Sequence, residues 1–176
     1  ADRLASVSIS VTTLDPTLAR KMEPRAPAPK RRLEVIRKLA AAGIPVRVQV
    51  SPLIPALTDH ELEAILDAAA KAGATHATSN PLRLPMEVAG LFRDWIETTF
   101  PDRAARVMGR VRELHGGRDY DPAFGTRMTG QGIWADLIKR RLDVARKRLG
   151  LNCGLPALRS DLFAVPPKAG DQLSLF

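Results

Sequence analysis

The chain has 176 residues, 45% of them hydrophobic, which suits a domain with a packed core and excludes a disordered protein. It carries 27 Lys and Arg against 19 Asp and Glu, a formal net charge of +8, so we expect an anionic partner, nucleic acid first. One cysteine and three scattered histidines exclude a disulfide framework, a His-based zinc motif and any Cys-rich metal centre built by this chain alone.

The first predicted element is a strand over residues 6–12. Val7, Ile9 and Val11 alternate with Ser and Thr, the pattern of a strand with one apolar and one polar face. Small hydroxyls in place of Lys or Glu favour a confined space that receives a polar ligand. A solvated face of an antiparallel sheet is an equally weighted alternative.

Alternating helices and strands follow this strand. In order, the sequence predicts a short helix opened by Asp15 and Pro16, a helix over residues 30–42, a strand over 46–51, a helix from the capping box Thr58–Glu61 to residue 72, and a weaker strand over 75–80. Strands that alternate with helices of this length indicate right-handed βαβ units and a parallel sheet.

The two-faced strands decide between the parallel folds. Central strands of an open doubly wound sheet are apolar on both faces, whereas these are polar on one face. We therefore predict an α/β fold with a βα barrel or partial barrel, helices outside and a polar interior. Chemistry would lie at the carboxyl ends of the strands, marked by Ser10, Thr12, Thr13, Gln49, Ser51, Ser79 and Asn80.

The second half is predicted to be helical, with helices over residues 86–100, 102–114 and 133–149. A glycine-rich connection over 116–132 holds Tyr120 and Phe124. We predict a βα domain over 1–85, a helical carboxyl-terminal extension over 86–149 and a flexible tail over 150–176. Arginines and lysines in 103–118 and 139–148 would track phosphates. Tyr120 or Phe124 would stack on a base or, as we favour, pin the connection to the core.

Several short sequence segments, taken together, resemble a known protein family. SISVTTLDPTLARKMEPRAPAP, PLIPALTDHE, PLRLP and FGTRMTGQG resemble the carboxyl-terminal half of a radical S-adenosylmethionine (SAM) protein, of the bacterial branch related to spore photoproduct lyase. The resemblance implies a partial (β/α)6 barrel that holds a [4Fe-4S] cluster and SAM. The three predicted strands would be its fourth, fifth and sixth, so that residues 1–85 would form the carboxyl-terminal half of this parallel βα barrel.

The resemblance also implies a set of SAM contacts. Ser10, with Ser8 beside it, would meet the SAM ribose, and Arg25 would reach the carboxylate or ribose. Ile54 would pack on adenine, although the usual glycines of that loop are absent. Gln49 would face the same interior. From the residues alone, Arg25 in its proline-braced turn is a plausible carboxylate clamp, and a surface arginine is the alternative.

The family's cluster motif CxxxCxxC does not occur in this sequence. We therefore expect the chain to be inactive alone, while the full-length protein would cleave SAM reductively to a 5′-deoxyadenosyl radical and act on or near DNA. The chain opens at Ala1 and looks like a piece of a longer protein. It shows no signal peptide or membrane-spanning run, so we expect it in the cytoplasm. The sequence assigns no catalytic residue.

The last five residues form a second candidate site. Gln172, Leu173, Leu175 and Phe176 follow a Pro- and Gly-containing tether and resemble the pentapeptide with which bacterial repair proteins bind the sliding clamp. The alternative is an apolar terminus that folds back on the domain. For the whole chain, the rival interpretations are a non-enzymatic basic α/β nucleic-acid-binding module and a complete small-molecule-binding α/β domain.

Overall fold

A computed structural model describes residues 4–152 and 154–166 of the chain. The described elements are, in chain order, β1 (Val7–Ser10), α1 (Pro16–Met22), α2 (Pro29–Ala41), β2 (Val46–Leu53), α3 (Leu62–Lys71), β3 (His76–Pro81), α4 (Val88–Thr99), α5 (Pro101–Leu114) and α6 (Gly132–Leu149). Short 3₁₀ turns occupy Asp59–Glu61 and Ser160–Leu162. The fold of the described part is therefore α/β, as predicted.

The three strands form one parallel sheet in the order β1–β2–β3. In register, Ile9 lies beside Val48, and Val48 beside Ala77. Registered neighbours point to the same face of a sheet, so the apolar members of the alternating pattern share one face. The parallel sheet predicted from the alternation of strands with helices along the chain is confirmed.

Helices α2, α3 and α6 cover this apolar face. Ile36 of α2, Ile65 of α3 and Ile138 of α6 are buried in one cluster with the valines of β2. Each such side chain contributes about 1.5–3 kcal/mol when fully buried. Helix α6, from the predicted helical extension, thus shares the core of the sheet.

A second core lies at the carboxyl end of the sheet. Ile96 of α4 and Val107 of α5 are fully buried together with Ile54, which follows β2, and Leu84, which follows β3. Because these partners come directly after strand ends, helices α4 and α5 pack beside the edge where the predicted site residues lie.

The start of α1 follows the local sequence signal. Asp15 is the N-cap, and its carboxylate Oδ1 accepts a hydrogen bond of 2.7 Å from the Thr17 amide. The capping box predicted at α3 is wrong. Thr58 Oγ1 accepts from the Ile54 amide at 2.9 Å instead of capping the helix, and Glu61 is bound by the loop after β1.

The chain remains attached to the sheet just after α6. Leu151 is buried, the Asn152 amide donates to Thr75 O at 2.9 Å, and Asn152 O accepts from the Ala77 amide at 3.0 Å. The first residues of the predicted tail thus pair with β3. The boundaries at residues 85 and 149 stay predictions. Within the described ranges, no helix combines the length and apolarity needed to cross a bilayer.

Candidate functional site

Three of the predicted site residues share the polar face of the sheet. Ser10 of β1 lies in register with Gln49 of β2, and Ser8 lies beside Arg47. Ser8 is exposed, whereas Ser10 and Gln49 are half-buried. The sheet therefore brings Ser8, Ser10 and Gln49 onto one surface that ends at its carboxyl edge, as the alternation predicts.

Arg32, which the sequence did not single out, is the arginine that binds Ser10. Its Nη1 donates to Ser10 Oγ at 3.1 Å and to Ser10 O at 3.0 Å, and its Nε donates to Pro27 O at 2.9 Å. Arg25 lies exposed between α1 and α2 and forms no hydrogen bond or ion pair with the described residues. The two arginines therefore differ in the fold: Arg32 braces β1, whereas the guanidinium of Arg25 is exposed and has no partner in the described part of the chain.

Glu23 joins Arg32 to the end of β1. Its Oε2 accepts from Arg32 Nη2 at 2.8 Å and from Thr12 Oγ1 at 2.9 Å. The Arg32 side chain is 11% exposed and that of Glu23 is 32% exposed, so the pair is shielded on one side. We call Ser10, Thr12, Glu23 and Arg32 the edge network. The opposite charges of Arg32 and Glu23 therefore balance within the edge network.

A cavity of about 390 Å³ opens beside the edge network. Thr12 and Glu23 supply its polar wall, and Ile54 is 2% exposed in its lining. The remaining lining is apolar or aromatic: Met22, Pro52, Leu82, Val88, Leu91, Phe92 and Trp95. The predicted position of Ile54 thus lies in a pocket suited to a flat, uncharged group with a polar rim.

A second carboxylate fixes the loop that leaves β1. Glu61 accepts from Thr13 Oγ1 at 2.5 Å and from the Leu14 amide at 2.7 Å. These contacts join the loop after β1 to the start of α3. Because Thr13 is buried, they hold the carboxyl edge of β1 in place.

Asn80 ties the glycine-rich segment (residues 116–131) to the end of β3. Its side-chain Nδ2 donates to Met128 O at 3.1 Å, and its backbone amide donates to Ser51 Oγ at 2.8 Å. Arg83 donates to Tyr120 Oη at 3.1 Å. Tyr120 thus pins the segment, as expected. Phe124 is 91% exposed, so the expectation that it packs on the core is wrong.

The histidines take structural positions. His115 is buried, and its Nε2 lies 3.0 Å from Leu82 O. His76 is buried in β3, and burial, with a smaller effect from Arg47, lowers the pKa of its imidazole. Among the described residues, no three His, Cys, Asp or Glu side chains are grouped to hold a metal ion.

Two predicted features lie outside the described residues. One is Cys153, and the other is the terminal motif formed by Gln172, Leu173, Leu175 and Phe176. The sliding-clamp hypothesis for this terminus stays a prediction.

A known family matches the amino-terminal part of the chain. Residues 1–69, which include β1 and β2, match the family described as the radical SAM superfamily. The match supports a radical SAM protein. Members of that superfamily in general use SAM and a [4Fe-4S] cluster.

The similar curated proteins are themselves uncharacterized. Over 139 residues the chain is 34% identical to the uncharacterized proteins Rv2578c of Mycobacterium tuberculosis and Mb2609c of Mycobacterium bovis, covering 78% of this chain and 40% of each relative. Over 49 residues it is 47% identical to the uncharacterized protein ORF301 of Acidianus two-tailed virus, covering 28% of this chain and 16% of that protein. The chain thus spans 40% of the length of its mycobacterial relatives. No solved structure gives a significant match.

Proposed function

We propose that this chain supplies the carboxyl-terminal strands of a partial radical SAM barrel, and that its polar sheet edge binds SAM. The radical SAM match over residues 1–69 supports the proposal. The observation that carries it is the placement of Ser10 beside Gln49 at the carboxyl edge, next to a cavity lined by Ile54. A row of hydroxyl and amide groups beside an apolar slot suits a ribose attached to a purine.

Three groups of SAM then have a protein partner: the ribose, the adenine and the carboxylate. Ser10, Ser8 and Gln49 face the ribose hydroxyls, and Ile54 packs on the adenine. Arg25 pairs with the SAM carboxylate, because its guanidinium has no partner among the described residues. Arg32 is committed to Ser10 and Glu23, so it acts as a positioning residue.

The residues of this chain do not fit the iron–sulfur cluster. A [4Fe-4S] cluster is held by cysteine thiolates, and the sequence contains one cysteine. We propose that the thiolates come from residues outside this sequence. When bound together, cluster and SAM would supply reductive cleavage of SAM to a 5′-deoxyadenosyl radical.

The assignment to one branch of the superfamily and to a biological role is supported by short sequence segments and by the net charge. We propose membership of the branch related to spore photoproduct lyase and a role in DNA repair. The strings SISVTTLDPTLARKMEPRAPAP and FGTRMTGQG support the branch, and the net charge of +8 supports a nucleic-acid partner.

The SAM site is tested by binding. The natural protein, expressed from its complete coding sequence and purified without oxygen, is titrated with SAM by calorimetry. Arg25→Ala should weaken SAM binding about tenfold, because a charge-assisted hydrogen bond to the carboxylate is lost. Ser10→Ala should weaken it by a smaller factor.

Arg20→Ala is the matched control, because Arg20 is an exposed arginine on the neighbouring helix α1. Its SAM affinity should equal that of the unmodified protein. Equal affinities for Arg25→Ala and Arg20→Ala would remove Arg25 from the site. Failure of the unmodified protein to bind SAM would remove the site altogether.

A second candidate function is a non-enzymatic basic module that binds nucleic acid. Lys139, Arg140 and Lys147 on α6 are exposed and form no ion pair within the described residues. Such a module would bind nucleic acid without SAM and release it as salt rises. Absence of SAM binding together with salt-sensitive nucleic-acid binding would favour it.

A further inference from the structure

Phe124 is the most exposed phenylalanine of the described residues. It is 91% exposed, whereas Phe92 and Phe100 pack against the second core. The guanidinium carbon of Arg127 lies 5.1 Å from the centre of the Phe124 ring. The other ring face is open to solvent, so the pair offers a flat surface backed by a cation.

Hydrogen bonds within the segment stabilise the turn that carries Phe124. The Asp121 carboxylate accepts from the Ala123 amide at 2.9 Å and from Thr126 Oγ1 at 2.6 Å. Farther along, Met128 O is bound by Asn80 at the carboxyl end of β3. An aromatic ring on a flexible loop would lose much conformational entropy when it binds a ligand. The hydrogen bonds of this turn hold the Phe124 ring in place before binding, so this loss is smaller.

The surroundings of the ring favour an anionic ligand. Arg127 lies over the ring, and Arg118, earlier in the same glycine-rich segment, is exposed and forms no ion pair within the described residues. Asp119 is already neutralised by ion pairs with Arg93 and Arg112. The remaining acid, Asp121, is turned into the loop by its hydrogen bonds.

We propose that Phe124 and Arg127 form a stacking site for an unpaired base of single-stranded nucleic acid, with Arg118 contacting a phosphate. A base supplies the planar ring that an open aromatic face accepts, and its backbone supplies the charge that the arginines and the net charge of +8 attract. The site stands on the glycine-rich segment and does not depend on SAM binding at the sheet edge.

The test is fluorescence anisotropy of the chain with end-labelled oligothymidylate, and with a strand of equal length that lacks bases. Phe124→Ala should weaken binding of oligothymidylate about tenfold, since one base loses its aromatic partner. It should leave binding of the base-free strand unchanged. Phe124→Trp should restore the affinity because it keeps the stacking face. Oligouridylate, measured in parallel, shows whether the sugar is discriminated.

Phe163→Ala is the matched control, because Phe163 is 72% exposed in another part of the chain. Its affinity should equal that of the unmodified chain. The proposal is overturned if Phe124→Ala binds oligothymidylate as the unmodified chain does, if it weakens both strands equally, or if the unmodified chain binds neither strand. Thermal unfolding should be the same for both Ala variants, because neither ring is buried.

Discussion

Two Arg–Glu pairs lie in two regions of the molecule and differ in what surrounds them. At the sheet edge, Arg32 joins Glu23 and also the carbonyl and hydroxyl groups of Ser10. Between α3 and α6, Arg141 binds Glu63 through two hydrogen bonds of 2.7 and 2.6 Å. The first pair lines a cavity through Glu23, and the second fastens two helices on the apolar side of the sheet.

The difference shows how the same two residue types are used for a site and for a scaffold. The Arg32 side chain is 11% exposed and Arg141 is 26% exposed, so the edge pair is the less solvated. Removing one member of a shielded pair leaves a charge and several polar groups without partners. In the outer pair, Arg141 also donates to Asp59 O at 2.9 Å, and Glu63 is 39% exposed. Removing Glu63 therefore leaves Arg141 with one partner, and removing Arg141 returns Glu63 largely to water. The comparison therefore predicts unequal costs.

Replacing Arg32 should give the larger effect. Arg32→Ala leaves Glu23 without its counter-ion and two backbone carbonyls without a donor, so we expect a loss of about 2 kcal/mol in the free energy of unfolding. Urea denaturation measures it. Arg25→Ala is the control and should cost under about 0.5 kcal/mol, because Arg25 is exposed. Equal stability of the two variants would mean that the edge network contributes nothing to the fold.

Replacing Glu63 should give a smaller, pH-dependent effect. The hydrogen bonds from Arg141 hold the pKa of Glu63 below its usual value of 4.5. A lowered pKa in the folded state stabilises the fold above the unfolded pKa, and this stability is lost as the pH falls through the folded pKa. Glu63→Gln should therefore cost about 1 kcal/mol at neutral pH, and the difference should shrink below pH about 4.5.

Urea titrations at a series of pH values measure this difference. Glu113→Gln is the control, because its ion pair with Arg110 is well exposed on α5. It should change stability little at any pH. A cost for Glu63→Gln that stays constant from neutral to acidic pH would show that packing, and not the ion pair, joins α3 to α6.

Local signals in the sequence predicted the fold well. The alternation in β1 and β2 identified the buried face, because a sheet packed on one side imposes a period of two. Asp15 followed by Pro16 identified the start of α1, because that cap is formed within three residues. These features depend on neighbours in the sequence, so the sequence displays them.

The misses depend on partners that are distant in the chain. The local pattern predicts that Glu61 closes a capping box, but its carboxylate accepts from the amide of Leu14, which is 47 residues away. The sequence did not single out Arg32 as the partner of Ser10, because that contact depends on which side of α2 faces β1. A signal was present: Arg32 precedes the buried Ile36 by four residues, one helical turn, and so shares its inward face.

The most direct test of the proposed function is a measurement of cofactor content and SAM cleavage. The natural protein, expressed from its complete coding sequence and purified without oxygen, is assayed for iron and sulfide, then reduced and given SAM. The proposal predicts about four irons per protein and release of 5′-deoxyadenosine. A protein without iron that leaves SAM intact would contradict it and favour the nucleic-acid-binding module.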